Sequence, residues 1–453
     1  MPMSPAGAPP AAPRAREGVA SATQHVAQLR WLWTPARRLG LIALGLAAVF
    51  LAWQSATRSV DFPIYHRVAR QILQGDYEFY PRALYEGGTV PAHGFRYAPA
   101  VAFLFVPLGL LPLEAAALIF LALKFAVLWS VGALVARDLG WPGRPERLML
   151  ASLLIVGGFV AEEFRYGNFH FFSVALMVFA FASAQRGKVI GPSAALGLAI
   201  AVKLTPLLLL AYFALRRRVA VCVATIGVVA LIGILPAAFL GVDRNNHLIE
   251  GFARYAVQKI DEGDNYALRG ALFRYLTPDH RGDRSAPRTS LASLSTAAVS
   301  ALWALTALAG GALLLLALWK EPSGPDIRLL EFSLVLTAML LWSPHTQRRY
   351  FIALYVPVLA LLGVRRRVAT RFSSSLSIDV ALAMTAVTST LLPMLLGGRQ
   401  LALFYESLSP YTLATLVLFV PLAMLTVRLK ADARRPAGSH AEEAARGHST
   451  LAI

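Results

Sequence analysis

Apolar runs of about 18 or more residues with almost no charge recur along the whole chain, the length a helix needs to cross a bilayer. Taken in order they predict twelve spans, at roughly 39–55, 114–136, 148–161, 171–185, 189–202, 205–215, 219–240, 292–319, 329–343, 350–364, 376–396 and 410–427. Several are shorter than the ~20 residues of a perpendicular helix. The fifth and sixth form a broken pair around "VKLTP", tolerable only where backbone lines a cavity or packs inside protein. The stretch "YAPAVAFLFVPLGLLP" (97–112) is apolar but carries three prolines, and reads as a short re-entrant or interfacial piece. Behind Asp61, the periodic segment "YHRVARQIL" predicts a short amphipathic helix lying in the interface.

Composition sharpens this into an all-α polytopic membrane protein. Of 453 residues, 57% are apolar and 15% charged, against about 45–50% and 25% in soluble globular chains. The single cysteine, Cys222, excludes a disulfide framework and a cysteine metal site. A formal charge of +18 would point to nucleic acid in a soluble protein. Here anionic lipid headgroups and the topology rule account for it, so no nucleic-acid partner is expected. The Pro- and Ala-rich residues 1–36 and the polar residues 429–453 read as disordered cytoplasmic tails around a membrane domain at 37–428.

The loops set an orientation. Arg137, Arg144 and Arg147, then Arg186 and Lys188, then Arg216, Arg217 and Arg218, then Arg365, Arg366, Arg367 and Arg371 all fall on one side. Two arginine triplets that each close a span are a strong positive-inside signal, so that side and both termini are cytoplasmic. The opposite side then receives Asp61, "EEFRYGNFH" (162–170), Lys203, the long loop 241–290, "SPHTQRRY" (343–350) and "GGRQLALFYESLSP" (397–410). The unusual polar motifs gather on one face.

Each has a plain and a chemical reading. Asp61, at the lip of a span, could cap a helix end; in low-dielectric surroundings it is also a usable general base. Lys203 interrupts "LGLAIAVKLTPLLLLAYF". An uncompensated lysine at mid-membrane costs about 2.5–3.5 kcal/mol, so it snorkels to an interface or meets an anion. Arg348 and Arg349, with His345 beside them, run against the charge bias of an outer loop and suit a phosphate. "DNYALRG" adds Asn265 and Arg269. His66, His93, His170 and His345 are scattered without ligand spacing; Glu162 and Glu163 offer only a weak cation pair, and neither metal nor cofactor is expected. One base among several cations is what transfer from a lipid-phosphate donor needs: the cations stabilise the leaving phosphate while the base takes the acceptor's hydroxyl proton.

The order "VDFPIYHRVARQILQGDYEFYPRALY", "FRYAPAVAFLFVPLGLLP", "RYGN", "GLAIAVKLTPLLLL", "DNYALRG", "SPHTQRRYF" resembles glycosyltransferase family 87 over roughly residues 40–425. The resemblance implies a GT-C membrane fold with interfacial helices in the first outer loop, and a polyprenyl-phosphate sugar, typically mannose, as donor. It makes Asp61 the catalytic base and His345 an active-site residue, and places Lys203, Arg348, Arg349 and Arg269 on the donor phosphate. Tyr65, Tyr97, Asn168, His170 and Asn265 become substrate contacts, and the acceptor a lipid or glycan. The chain departs from the family pattern at Gly167 to His170, where Gly-Gln-x-Asn is expected, and at Tyr266 and Ala267, where Gln-Ser is expected. A transporter or flippase would also explain cations at membrane level, but predicts repeat symmetry and shorter outer loops. An O-antigen-type ligase would carry its distinctive polar residues in a large late outer loop rather than the first.

Overall fold

In the computed structural model, residues 59–86, 94–141, 145–256, 264–278, 289–322, 324–368, 375–396 and 398–433 are described. The amino-terminal tail, the predicted first span at 39–55, residues 434–453, His93, Arg144 and Arg371 lie outside them. Among the described residues the regular structure is helical. The main helices are α1 (Phe62–Leu73), α2 (Leu113–Asp138), α3 (Pro145–Tyr166), α4 (His170–Gln185), α5 (Ile190–Val202), α6 (Leu207–Leu215), α7 (Val219–Ile234) and α8 (Val242–Ala256). They continue with α9 (Leu268–Leu276), α10 (Thr296–Leu318), α11 (Pro325–Trp342), α12 (Tyr355–Val368), α13 (Ser375–Ala386), α14 (Arg399–Ser407) and α15 (Pro410–Asp432). Without water to satisfy backbone groups, apolar sequence of this length must close its hydrogen bonds within the helix.

Every apolar run predicted after the first is helical, but length alone does not give twelve spans. Among the described residues, five segments are long and apolar enough to cross a bilayer unaided: α2, Val219–Leu240, α10, Leu376–Leu395 and α15. Helices α3 and α4 pass the same test together, bent by 120°. The stretch at 97–112 is broken into Pro99–Ala102, a 3-10 turn at Phe103–Phe105 and Val106–Gly109, as its prolines predict. The break around "VKLTP" is present too: Lys203 is extended, and Pro206 opens α6.

Helix α1 is amphipathic, with Phe62, Tyr65, His66, Val68, Ala69 and Ile72 buried against protein. Its partners are aromatic. Phe62 stacks on Phe120 at 4.8 Å, Tyr65 on Phe105 at 4.8 Å, and Phe105 meets Phe169 edge-on at 5.0 Å. Rings at these separations contribute about 0.5–1.5 kcal/mol per pair beyond their buried area. This wall fixes the start of α1, where Asp61 stands.

Away from that wall, one carboxylate ties four helices. Glu331 of α11, fully buried, pairs with Arg216 beyond the end of α6 and with Lys430 of α15, and accepts a hydrogen bond from Tyr212 at 3.1 Å. Arg216 and Lys430 also donate to the carbonyls of Leu318 (2.7 Å) and Ala317 (2.6 Å) at the end of α10. Satisfying both partners matters because a lone buried charge is costly.

Candidate active site

Asp61 occupies the position before the first turn of α1, yet its side chain does not cap the helix. Its backbone N–H donates to the Tyr166 carbonyl at 2.9 Å, which docks it on the end of α3. The Asp61 side chain is 10% exposed. Its Oδ2 accepts the Asn168 side-chain amide at 2.7 Å, and Arg349 Nε lies 3.3 Å from the same oxygen. The Arg349 contact is an ion pair without hydrogen-bond alignment. Among the described residues nothing bonds Oδ1. The capping reading of Asp61 therefore fails in geometry, and the chemical reading keeps a carboxylate with one oxygen engaged and one open.

The turn between α3 and α4 delivers Asn168. Gly167 adopts φ +65°, open to glycine at no steric cost. A Cβ there would lie 2.7 Å from Phe62 Cβ, so the turn presses directly on the start of α1. Asn168 Oδ1 accepts the His170 N–H at 2.7 Å, which leaves its amide group for Asp61.

Tyr350 is the hub on the other side of Arg349. Lys203 Nζ lies 3.4 Å above the Tyr350 ring, the His170 ring is 4.5 Å away, and the Arg349 guanidinium is 5.7 Å away. No carboxylate lies within ion-pair distance of Lys203 among the described residues. The ring nitrogens of His170 and His345 are buried with no hydrogen-bond partner. Buried polar groups are normally partnered, and an imidazole always carries at least one N–H, so this pocket has donors to offer a ligand. Burial, with the charges of Lys203, Arg96 and Arg349, pushes His345 down to about 3. Its imidazole is neutral at physiological pH.

Tyr65 and Tyr97 join hydroxyl to hydroxyl at 2.7 Å. Burial raises both well above the ordinary phenol range, and the charge of Asp61 adds to each, so both remain hydrogen-bonding hydroxyls. Beyond Phe169, an apolar cavity of 340 Å³ lies between α2 and α4, lined also by Val131, Leu134, Phe172 and Leu198. Its wall begins one residue from Asn168.

Three predicted residues stand elsewhere. Arg348 donates to Glu406 at 3.0 Å, and Tyr266 donates to the other oxygen of that carboxylate at 2.9 Å. Arg269 lies across Phe273 and Trp303, at 5.0 and 5.4 Å. Asn265, fully buried, is a clamp: its Nδ2 donates to the Pro344 carbonyl at 2.8 Å. Its Oδ1 accepts the N–H groups of Ala267 (3.1 Å) and Thr346 (3.0 Å). Glu162 pairs with Arg165 at 3.1 Å, and Glu163 turns inward to Lys124, so the two do not face one cation. Sequence reasoning passed over Lys124, although a lysine inside an apolar span is the same signal that marked Lys203.

These features define a polytopic helical membrane protein in which a buried carboxylate, Asp61, lies beside a cluster of cationic and imidazole side chains. The sequence profile of glycosyltransferase family 87 matches residues 95–344, which include Asn168, His170, Lys203 and Asn265; Asp61, His345 and Arg349 lie outside that segment. Over 385 residues the chain is 30% identical to the polyprenol-phosphate-mannose-dependent alpha-(1-2)-phosphatidylinositol mannoside mannosyltransferase of Mycobacterium tuberculosis, covering 80% of this chain and 82% of that protein. The chain belongs to glycosyltransferase family 87 and is a membrane glycosyltransferase. No solved structure matches it.

Proposed function

We propose that the chain moves mannose from a polyprenyl-phosphate donor to a hydroxyl of a lipid-linked or glycan acceptor, in one inverting displacement. The observation that carries this reading is Asp61, with Oδ2 engaged by Asn168 and Arg349 and Oδ1 open. The acceptor oxygen attacks the anomeric carbon as its proton passes to Oδ1. The bond from that carbon to the phosphate oxygen breaks, and its electron pair leaves on the phosphate. Lys203 and Arg349 are the cations placed to meet that growing charge, and His345 and His170 can add neutral N–H donors. The cavity beside Phe169 suits a prenyl chain. The choice of mannose rests on the mycobacterial relative's donor.

The positive-inside count supports a site on the extracytoplasmic face with both termini in the cytoplasm, and the mycobacterial relative supports a bacterial plasma membrane. Arg216 and Lys430, both counted on the cytoplasmic side, meeting on Glu331 accords with that orientation.

The test is reconstitution in liposomes with radiolabelled polyprenyl-phosphate-mannose and a phosphatidylinositol mannoside. Label in a larger glycolipid is the expected result. Label delivered only from a different polyprenyl-phosphate sugar would correct the donor, and no transfer from any would end the proposal.

A further inference from the structure

The reaction as drawn leaves Lys124 and Glu163 unused, yet both are fully buried, on α2 and α3. A charge pair inside apolar surroundings is rarely worth more than a well-packed apolar pair, so its use is sought in the geometry it imposes. That geometry lies at the 120° bend between α3 and α4.

A helix that stops leaves carbonyls unbonded at its end, and one that starts leaves N–H groups unbonded at its beginning. Glu163 and Lys124 serve both. Lys124 Nζ donates to the Glu163 backbone carbonyl at 2.8 Å, a carbonyl that also receives the long Asn168 N–H contact at 3.4 Å. The Glu163 carboxylate reaches forward across the bend, where Oε1 accepts the Phe171 N–H of the first turn of α4 at 3.1 Å. Lys124 Nζ lies 3.5 Å from that same oxygen. One residue thus closes the end of α3 and the start of α4, and one lysine holds it. Between these two points stands Asn168, whose amide is aimed at Asp61 Oδ2.

We propose that Lys124 and Glu163 are positioning residues for the base: they hold the bend that presents Asn168 to Asp61. The inference rests on the reading of Asp61 as the base, and its geometric half stands apart from that reading. Single replacements strand a buried charge and risk misfolding, so the pair is removed together.

Lys124→Met/Glu163→Met is prepared in lipid nanodiscs, its structure determined, and its transfer measured with polyprenyl-phosphate-mannose and a phosphatidylinositol mannoside. The helices should keep their places while Asn168 Nδ2 moves beyond about 3.5 Å from Asp61. kcat should fall about 100-fold, the loss that a misplacement of about 1 Å can cause, with donor KM within about threefold. Lys124→Met/Glu163→Gln, whose side chain still accepts the Phe171 N–H, should recover part of the rate. A purely structural pair would lower the yield of folded protein and leave kcat per folded molecule unchanged. An intact Asn168–Asp61 contact in the double variant overturns the inference. So does an unchanged kcat where Asp61→Asn is inactive. An active Asp61→Asn instead removes the base reading alone, and the Asn168–Asp61 distance still decides what the pair holds.

Discussion

Asp61 stands where a helix cap would, yet it turns from α1 and takes the Asn168 amide at 2.7 Å, from a residue 107 positions along the chain. A cap would have satisfied a local N–H group. This carboxylate instead joins the start of α1 to the α3–α4 bend, and through Arg349 to the segment before α12. Three separate parts of the chain meet on one oxygen.

Replacing Asp61 by Asn keeps shape and hydrogen-bonding reach but removes the proton acceptor. We expect a folded variant that still binds donor, with turnover lowered about 10²–10⁴-fold, the usual value of general-base catalysis. Near-normal turnover would move the assignment to Glu162 or Asp264.

Lys203 has an aromatic face below it and, among the described residues, no carboxylate within ion-pair distance. Lys203→Ala should express normally and weaken donor binding about 10- to 100-fold, the range of a lost charge-assisted hydrogen bond. Arginine should restore it poorly, because a planar fork replaces a point charge. Unchanged donor affinity in the alanine variant would reduce Lys203 to a residue that snorkels.

His345 is held at about 3, so it carries no charge between pH 5 and 8. The pH–rate curve of His345→Asn should therefore run parallel to that of the native chain over that interval, at whatever level it lies. Stability behaves differently. An unfolded histidine takes up a proton below about 6.5 while the folded one does not, so the native chain should lose stability as pH falls from about 6.5 to 3, and the variant less steeply. An inflection of the pH–rate curve near pH 6.5 that vanishes with His345 would contradict the neutral assignment.

Glu331 is the carboxylate shared by Arg216 and Lys430. Glu331→Gln leaves those cations without their counter-charge, and breaking a buried pair in this way costs about 3–5 kcal/mol. A lowered unfolding temperature with unchanged activity per folded molecule is expected; a thermal stability equal to that of the native chain would show the cluster to be dispensable.

Gln74 and Asp243 are exposed on the side assigned to the outside, and Arg217 on the side assigned to the cytoplasm. Single cysteines at the first two should react with an impermeant reagent added to intact cells, and one at Arg217 only after lysis. The reverse pattern would invert the topology.

The apolar runs after residue 100 were legible because composition alone decides them, and their ends fell within a few residues. The number of true crossings was not, since helices such as α6 are too short for length to settle the matter. Asp61, Lys203 and Arg349 stood out in the sequence because a charge in or beside an apolar run needs a reason, and Arg349 meets both Asp61 and the Tyr350 ring over which Lys203 lies. Arg348 carried the same signal and has an unrelated answer, Glu406, 58 residues away. No local pattern announces such a partner. Asn265 looked like a ligand contact and is a clamp for the same reason: its partners, Pro344 and Thr346, are set by the fold alone.

That clamp has a mechanical side. Tyr266 N–H also donates to the Thr346 carbonyl at 2.7 Å, and Gln347 to Asp264 at 2.8 Å, so residues 264–267 and 343–347 are laced into one stiff lip. Arg349 begins two residues beyond that lacing. The position of the arginine paired with Asp61 is therefore tied to residues 264–267, a segment more than 200 positions along the chain from that carboxylate.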